Sequence, residues 1–250
     1  MLKKILRKVF PDSAPLDASV QQPLSKNIPA QIDQDGGTQQ DPLFPVKKAG
    51  KEIASKLFMA MSTDKGIHLE SLLSALGALA GYACQISVRE EFVVRQGKAE
   101  KDVFIVVHSK QNGTSYYFGD LLNRPLAESR YSVWSLVSGA TQKLGLQELI
   151  DLHEIFKHVT VTLGTENFGV PRVELEQRAK ETPLNYVKFL WPQLFPLAQS
   201  FCPNPQDWPV VFGVAIQEIL FASKDLIEPK SALIIVMESA VPMSKIHLLD

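Results

Sequence analysis

The sequence feature that most constrains the fold is the stretch LLSALGALAGYAC at residues 72–84. It is apolar on nearly every side of a helix and rich in small residues, which permit close helix contacts. A helix that is hydrophobic all round lies at the centre of a soluble domain. The stretch is also too short, against the roughly 18 apolar residues of a membrane span, and has polar flanks. We therefore predict a helix from about His68 to Val88 that the rest of the protein encloses.

Composition supports one ordinary domain and excludes some functions. The 250 residues are 45% hydrophobic, enough for one core of about 200 residues. The formal charge of -1 gives no global field that would attract a phosphate backbone, so we expect no nucleic-acid binding. Cys84 and Cys202 lie far apart among apolar residues, which favours free thiols in the cytoplasm and leaves a single disulfide as the alternative.

The first ten residues form a short basic amphipathic pattern. Leu2, Ile5, Leu6 and Val9 recur at helical spacing, and lysines and an arginine lie mostly on the other side. Ten residues are too few for a stable helix in water, but a protein groove or an anionic membrane surface could induce one. The alternative is a frayed N-terminus that only adds solubility.

Residues 11–45 contain six prolines separated by many Gln, Asp and Ser residues. This composition buries too little apolar surface to offset the entropy of ordering, so we predict a disordered linker. A single globular domain is then expected over residues 46–250.

The clearest local signal in that domain is a β-hairpin. The apolar run VFIVVHSK is separated from TSYYFGD by Asn112–Gly113, the preferred pair of a two-residue type I′ turn. Such a turn places His108 opposite Tyr117, where we expect His108 to be a hydrogen-bonded core residue. Residues 92–95 are a candidate third strand.

Helical patterns account for most of the remaining domain. Thr182–Pro183 is a start signal for a helix that Pro192 should end or kink. Glu228–Pro229 begins a last apolar segment, in which 231–240 could be helix or strand. Further helices are predicted at 46–62, at 130–144 and 146–161 on either side of Gly145, and from Pro209 to Ile227 with Asp207 as cap. The fold class is thus α+β and predominantly α-helical, with helices packed around a small antiparallel hairpin.

Two motifs resemble chemical signatures without completing them. In DLHEIFKH the histidines His153 and His158 are one residue too far apart for HExxH, about 140° apart on a helix. Gly164 and Gly169 have P-loop spacing, but Val170 and Pro171 replace the required Lys and Ser/Thr. We therefore predict no metal site and no cofactor.

The candidate binding residues come from a long connection and from apolar helices. Residues 162–182 form an irregular connection, and such connections are often functional. Glu218 and Glu238 are carboxylates within apolar stretches, so they are either an acid/base couple or structural partners of Arg172 or Arg178. The candidate set is His158, Glu166, Asn167, Arg172, Glu218 and Glu238.

These observations favour an intracellular accessory or interaction protein, whose helical domain binds a protein or a small ligand and whose arm docks to a second surface. The alternative is an enzyme with hydrolase-like acid/base chemistry in a pocket between helices. A third hypothesis is a homo-oligomer with the apolar segment 231–243 at its interface.

Overall fold

The structure is a computed structural model that describes residues 41–64, 66–111 and 113–248. The predicted amphipathic segment 1–10, with Leu2, Ile5, Leu6 and Val9, lies outside the described residues, as does most of the predicted linker. The first described helix begins at Phe44, so the last two residues of the predicted linker range are helical.

Helices dominate the described chain, and two short strands pair in an antiparallel hairpin, as the sequence predicted. We number the helices α1 (Phe44–Met61), α2 (Leu69–Val88), α3 (Glu100–Val103), α4 (Asp120–Asn123), α5 (Val133–Lys143), α6 (Leu152–Val161), α7 (Pro183–Phe201), α8 (Trp208–Ala222) and α9 (Pro229–Met243). The strands are β1 (Ile105–His108) and β2 (Ser115–Phe118), and the π-helical segments are Arg89–Arg95 and Arg124–Glu128.

Helix α2 is the centre of the domain, which confirms the prediction of an enclosed helix. Every residue from Leu69 to Val88 is buried except Glu70 and Ile86. The helix packs against α7, α8 and α9. It begins at His68, whose Nδ1 accepts a hydrogen bond from the backbone N–H of Ser71 at 3.3 Å. An all-round apolar helix is buried here because other helices cover each of its sides.

Two glycines let α2 and α9 approach closely. A Cβ atom on Gly77 would lie 2.5 Å from the carbonyl oxygen of Val236. One on Gly81 would overlap the carbonyl oxygen of Ala240. Only glycine fits at both contacts, so the two helices pack backbone against backbone along this line.

The last apolar segment is a helix rather than a strand. The Glu228 side chain accepts a hydrogen bond of 2.6 Å from the Ser231 N–H, which starts α9. From Ala232 to Met243 every residue of α9 except Ile234 is buried within this one chain. The apolar segment that the homo-oligomer hypothesis placed at an interface is therefore already covered by the chain's own core.

Helix α7 begins as predicted and ends later than predicted. The Thr182 hydroxyl accepts a hydrogen bond from the Asn185 N–H at 3.2 Å, which caps the first turn. The helix then continues through Pro192 and Pro196 to Phe201, so the end predicted at Pro192 is wrong. Both prolines are exposed. A proline has no N–H to donate to the carbonyl group one helical turn earlier, and on this exposed face water can donate to that carbonyl instead.

The hairpin forms with a different register from the predicted one. His108 pairs with Ser115 rather than with Tyr117, because a longer loop replaces the two-residue turn. Ser109 and Thr114 close this loop with an N–H···O bond of 2.9 Å. His108 is exposed and lies 2.9 Å from the Ser115 hydroxyl, so its predicted place in the core is wrong. In the observed register the buried Tyr117 ring packs on Phe104, with ring centroids 4.8 Å apart.

The predicted third strand is also wrong. Residues 92–95 belong to the π-helical segment that prolongs α2 and ends at Arg95, two residues before Gly97, whose φ is 66°. The third position beside β2 is taken by residues 244–248, which we name the C-terminal strap. The Tyr117 N–H donates to the carbonyl of Lys245 at 2.7 Å, and the His247 N–H donates to that of Ser115 at 3.1 Å.

Three other predicted helices, α5, α6 and α8, are shorter than expected. Helix α5 begins at Val133 instead of residue 130, and α6 begins at Leu152 instead of residue 146. An irregular stretch around Gly145 separates them, where a break was predicted. Helix α8 ends at Ala222 instead of Ile227. Asp207 precedes α8 as predicted, but its side chain makes no capping hydrogen bond.

Candidate functional site

A cavity of about 450 Å³ lies where the end of α2, the second π-helical segment and the start of α8 meet, and we name it the π cleft. This volume is within the range of natural small-molecule sites. Its lining residues are Leu43, Ser87, Val88, Glu91, Phe92, Leu121, Arg124, Pro125, Ser129, Arg130, Tyr131, Gln206, Asp207, Pro209 and Val210.

Both π-helical segments of the described chain contribute to this one cavity. Glu91 and Phe92 come from the first segment, and Arg124 and Pro125 come from the second. π-Helical turns are rare, far below 1% of residues, and they occur frequently at functional sites. Two such segments on the walls of the same cavity mark it as the leading candidate site.

One wall of the π cleft is basic. Arg124, Ser129, Arg130 and Tyr131 come from the second π-helical segment and the turn after it. The Arg130 guanidinium lies 5.3 Å from the ring centroid of Tyr131. Within the described residues neither arginine forms an ion pair, so both guanidinium groups are free to bind an anion.

The other walls carry carboxyl groups. Asp207 stands before α8, and burial raises the pKa of its carboxyl above the usual value. In the described chain no hydrogen bond satisfies that carboxyl group. Glu91, on the first π-helical segment, accepts one hydrogen bond from the Gln96 side chain at 3.0 Å. The cleft therefore has opposite charges on different walls.

Apolar side chains complete the lining between the charged groups. Val88 ends α2, Leu121 belongs to α4, and Pro209 and Val210 lie in the first turn of α8. Phe92 adds an aromatic ring from the first π-helical segment. Apolar walls with a few polar groups are typical of sites that bind small molecules.

The structure brings two of the predicted site residues together in another place. Glu238 is only 6% exposed, and its Oε1 accepts hydrogen bonds from the Arg172 side chain, at 2.8 Å from Nε and 2.7 Å from Nη2. Its Oε2 accepts from the Arg172 backbone N–H at 2.5 Å. The pair borders a hollow of about 280 Å³ with Ile150, Asp151, Ile155 and Ile234. Glu238 is thus fully used in fastening the connection 162–182 to α9, the structural alternative that the sequence left open.

The other predicted site residues do not join this pair. His158 is half-buried on α6, and its carbonyl accepts a hydrogen bond from the Thr162 hydroxyl at 2.8 Å. Glu166 and Asn167 are exposed in the connection. Glu218 is half-buried on α8, and no hydrogen bond or ion pair between described residues links it to Glu238.

The C-terminal strap contains a buried cation that the sequence did not single out. Lys245 is 1% exposed, and its ammonium group donates to the Asn123 side-chain oxygen at 3.2 Å. The ammonium nitrogen lies 5.4 Å from the ring centroid of Phe118 and 5.3 Å from that of Phe156. Burial lowers the pKa of Lys245 to about 8, because it removes the water that stabilises the charged form.

Gln85 fastens the strap from the side of α2. Its side-chain nitrogen donates to the carbonyls of Ser244 and Ile246, at 3.2 and 2.9 Å. The two accepting carbonyls belong to the residues on either side of Lys245. The strap is therefore bound both to β2 and to the central helix.

The described residues hold neither a metal-binding cluster nor a disulfide bond. Within the described ranges, no cluster of three His, Cys, Asp or Glu side chains could hold a metal ion. Cys84 and Cys202 are both buried and free, so the disulfide alternative is excluded. One described helix, Leu69–Arg95, is long and apolar enough to cross a membrane by composition alone, but 94% of its apolar window is buried within the domain.

Comparison with known proteins leaves the site to be interpreted from its own geometry. No family model, no curated protein and no solved structure matches this chain.

The π cleft was missed by sequence reasoning because its walls come from residues 87–92, 121–131 and 206–210. Nothing in the local pattern shows that these segments meet. The available signals were the charged and aromatic residues of two irregular stretches, RPLAESRY and CPNPQDWP.

Proposed function

We propose that this protein is an intracellular binding protein whose π cleft holds a small ligand. The observation that carries the proposal is the cleft itself, about 450 Å³, with two arginines that have no ion-pair partner among the described residues. Its apolar lining would hold the body of the ligand, and its charged groups would orient it. The buried, free cysteines agree with a reducing compartment such as the cytoplasm.

Binding is a better interpretation of the cleft than catalysis. No described histidine, the most frequent general base, lines the cleft. No hydrogen bond among the described residues joins Ser87 or Ser129 to a carboxylate, as an activated nucleophile would need, and the Ser87 hydroxyl donates to the Cys84 carbonyl instead. The enzyme alternative relied on Glu238 and Arg172, and those two groups are engaged with each other. A carboxylate that accepts several short hydrogen bonds from one arginine is a poor proton acceptor for a substrate.

The N-terminal arm belongs to the same proposal as a second contact. Leu43 lines the π cleft, so the arm joins the domain beside the ligand site. The basic segment 1–10 would dock to a protein groove or to an anionic membrane surface. The domain would then present its ligand site close to that surface.

The cleft proposal is tested by ligand-observed NMR with a fragment library, on the wild type and two variants. Val210→Trp places an indole in the cleft and should abolish the binding of fragments that the wild type holds. Leu226→Trp is the matched control, because Leu226 is 77% exposed and is not among the residues lining the cleft. The proposal fails if the wild type binds no fragment, or if binding survives in Val210→Trp.

The arm is tested separately by co-sedimentation with vesicles of anionic phospholipid. Deletion of residues 1–10 should reduce vesicle binding, and neutral phosphatidylcholine vesicles are the control. Equal sedimentation of the full and shortened chains would remove the membrane contact from the proposal.

A further inference from the structure

The charges of the π cleft are arranged in a way that selects among ligands. Both arginines, Arg124 and Arg130, come from one stretch of chain, and both carboxyl groups, Glu91 and Asp207, come from other walls. A simple anion that bound the arginines would also enter the field of the two carboxylates. A simple cation would meet the reverse conflict. Only a ligand with both charges gains from both sides.

We propose that the ligand of the π cleft is a small zwitterion with an apolar side chain, such as a short peptide. This inference rests on the proposed binding function and adds the chemical class of the ligand. The carboxylate of the ligand faces Arg124 and Arg130, and its ammonium group faces Asp207 and Glu91. Its apolar side chains lie against Phe92, Leu121 and Val210.

Each charged group in this arrangement has a physical reason to bind. A guanidinium group donates two parallel hydrogen bonds to a carboxylate, and the two arginines have no ion-pair partner among the described residues. Asp207 is half-buried and makes no capping hydrogen bond with α8, so a ligand ammonium would supply the partner that the fold does not. Burial raises the pKa of its carboxyl because it disfavours the charged form, which a ligand ammonium would stabilise.

The apolar lining explains why both charges are needed. Val88, Pro209 and Val210 offer contact area to any apolar molecule, but area alone does not discriminate. Opposite charges on different segments of the lining favour a ligand with a matching separation of charges. The cleft is therefore suited to distinguish a zwitterion from its blocked derivatives.

The test uses isothermal titration with four matched probes: Leu-Leu, N-acetyl-Leu-Leu, Leu-Leu-amide and N-acetyl-Leu-Leu-amide. Leu-Leu should bind most tightly, and blocking either terminus should weaken binding by about tenfold or more, which is the effect of losing one charge-assisted contact. The doubly blocked peptide should bind weakest. The full-length protein is used throughout.

Variants assign each charge of the ligand to its wall. In Arg124→Gln/Arg130→Gln, amidation of the peptide should no longer weaken binding, while acetylation still does. In Asp207→Asn the opposite pattern is expected, and Glu91→Gln gives a second variant if Asp207→Asn is unstable. Arg178→Gln and Asp225→Asn, exposed residues outside the cleft lining, are the matched controls and should leave all four affinities unchanged.

The outcomes separate this inference from the function on which it rests. Equal binding of all four peptides would mean an apolar cleft, so the function would stand and the zwitterion would be wrong. Binding of fragments but of no peptide would have the same meaning. If the wild type binds neither fragments nor peptides, both proposals fall.

Discussion

Helix α9 and the C-terminal strap that follows it each bury a charged side chain. The two charged groups differ in the partners that surround them. Glu238 in α9 is matched by the Arg172 guanidinium and backbone N–H. Lys245 in the strap has no carboxylate partner among the described residues, and it relies on Asn123 and two aromatic rings.

The difference shows that burial alone does not define the role of a charged residue. The Glu238 carboxylate joins two distant parts of the chain, so its burial contributes directly to holding the fold together. The Lys245 ammonium has three donors, and among the described residues it forms one hydrogen bond, to Asn123. Burial therefore weakens its proton affinity, and the folded state should be less stable when Lys245 is charged.

The largest expected effect comes from the close contact between α2 and α9, the helix that carries Glu238 and leads into the strap. Gly81→Ala should lower the free energy of unfolding by about 3 kcal/mol or more, because its Cβ would overlap the Ala240 carbonyl oxygen and no rotamer can relieve that overlap. Gly139→Ala is the matched control, since nothing lies within 4 Å of its added Cβ. That helical substitution should be neutral or stabilising by up to about 1 kcal/mol. Urea denaturation measures both, and equal stabilities would contradict the close contact.

Breaking the paired charge should have the next largest effect. Arg172→Ala leaves the Glu238 carboxylate buried without its partner, which should cost about 2–3 kcal/mol. This is below the full penalty for a buried pair because the Arg172 side chain is 44% exposed. Glu238→Gln with Arg172→Ala should recover part of the loss. Thermal unfolding of both variants and the wild type is the measurement, and an Arg172→Ala protein as stable as the wild type would refute the structural role of the pair.

Removing the charge of Lys245 should raise the free energy of unfolding rather than lower it. Lys245→Met keeps a long apolar chain between Phe118 and Phe156 and should stabilise the protein at pH 7 by about 1–2 kcal/mol. The folded-state pKa of about 8 lies below the ordinary 10.5, so the unfolded chain binds more protons between these values. Wild-type stability should therefore rise as the pH increases from 8 towards 10.5. The advantage of Lys245→Met should be greatest below pH 8 and shrink above it. Urea titrations at pH 7 and pH 9.5 check this, and an advantage that grows with pH would reverse the argument.

The smallest effect isolates the one hydrogen bond of the ammonium group. Asn123→Ala should destabilise the wild type by about 1 kcal/mol, because Lys245 loses the one side-chain oxygen partner that it has in the described ranges. The same change in the Lys245→Met background should cost clearly less. A double-mutant cycle measured by thermal unfolding gives the difference, and equal costs in both backgrounds would show that the bond contributes nothing.

Structural features that depend only on residues close together in the sequence could be predicted. The start signal Thr182–Pro183 begins a helix as predicted, because a cap requires only a few consecutive residues. Glu228–Pro229 also begins a helix, where the sequence left helix and strand as alternatives. The burial of α2 followed from its own apolar pattern. These predictions required no knowledge of which segments meet.

Features that depend on distant contacts could not be predicted in the same way. The hairpin register follows the packing of Tyr117 on Phe104 and the bonds between β2 and the strap, and neither is visible in the turn residues. Residues 92–95 have a strand-like composition, but they continue the helix that precedes them. The Arg172–Glu238 pair was one of two alternatives, and only the fold selects it.

The C-terminal strap also determines how exposed the hairpin is to other proteins. Strand β2 has β1 on one side and the strap on the other, so its backbone groups are matched on both edges. An uncovered strand edge recruits strands from neighbouring molecules and promotes aggregation. Proteolytic loss of residues 244–248 would open that edge and remove the Lys245 anchor in one event. These few residues thus shield the outer edge of β2, while the outer edge of β1 has no strand beside it among the described residues.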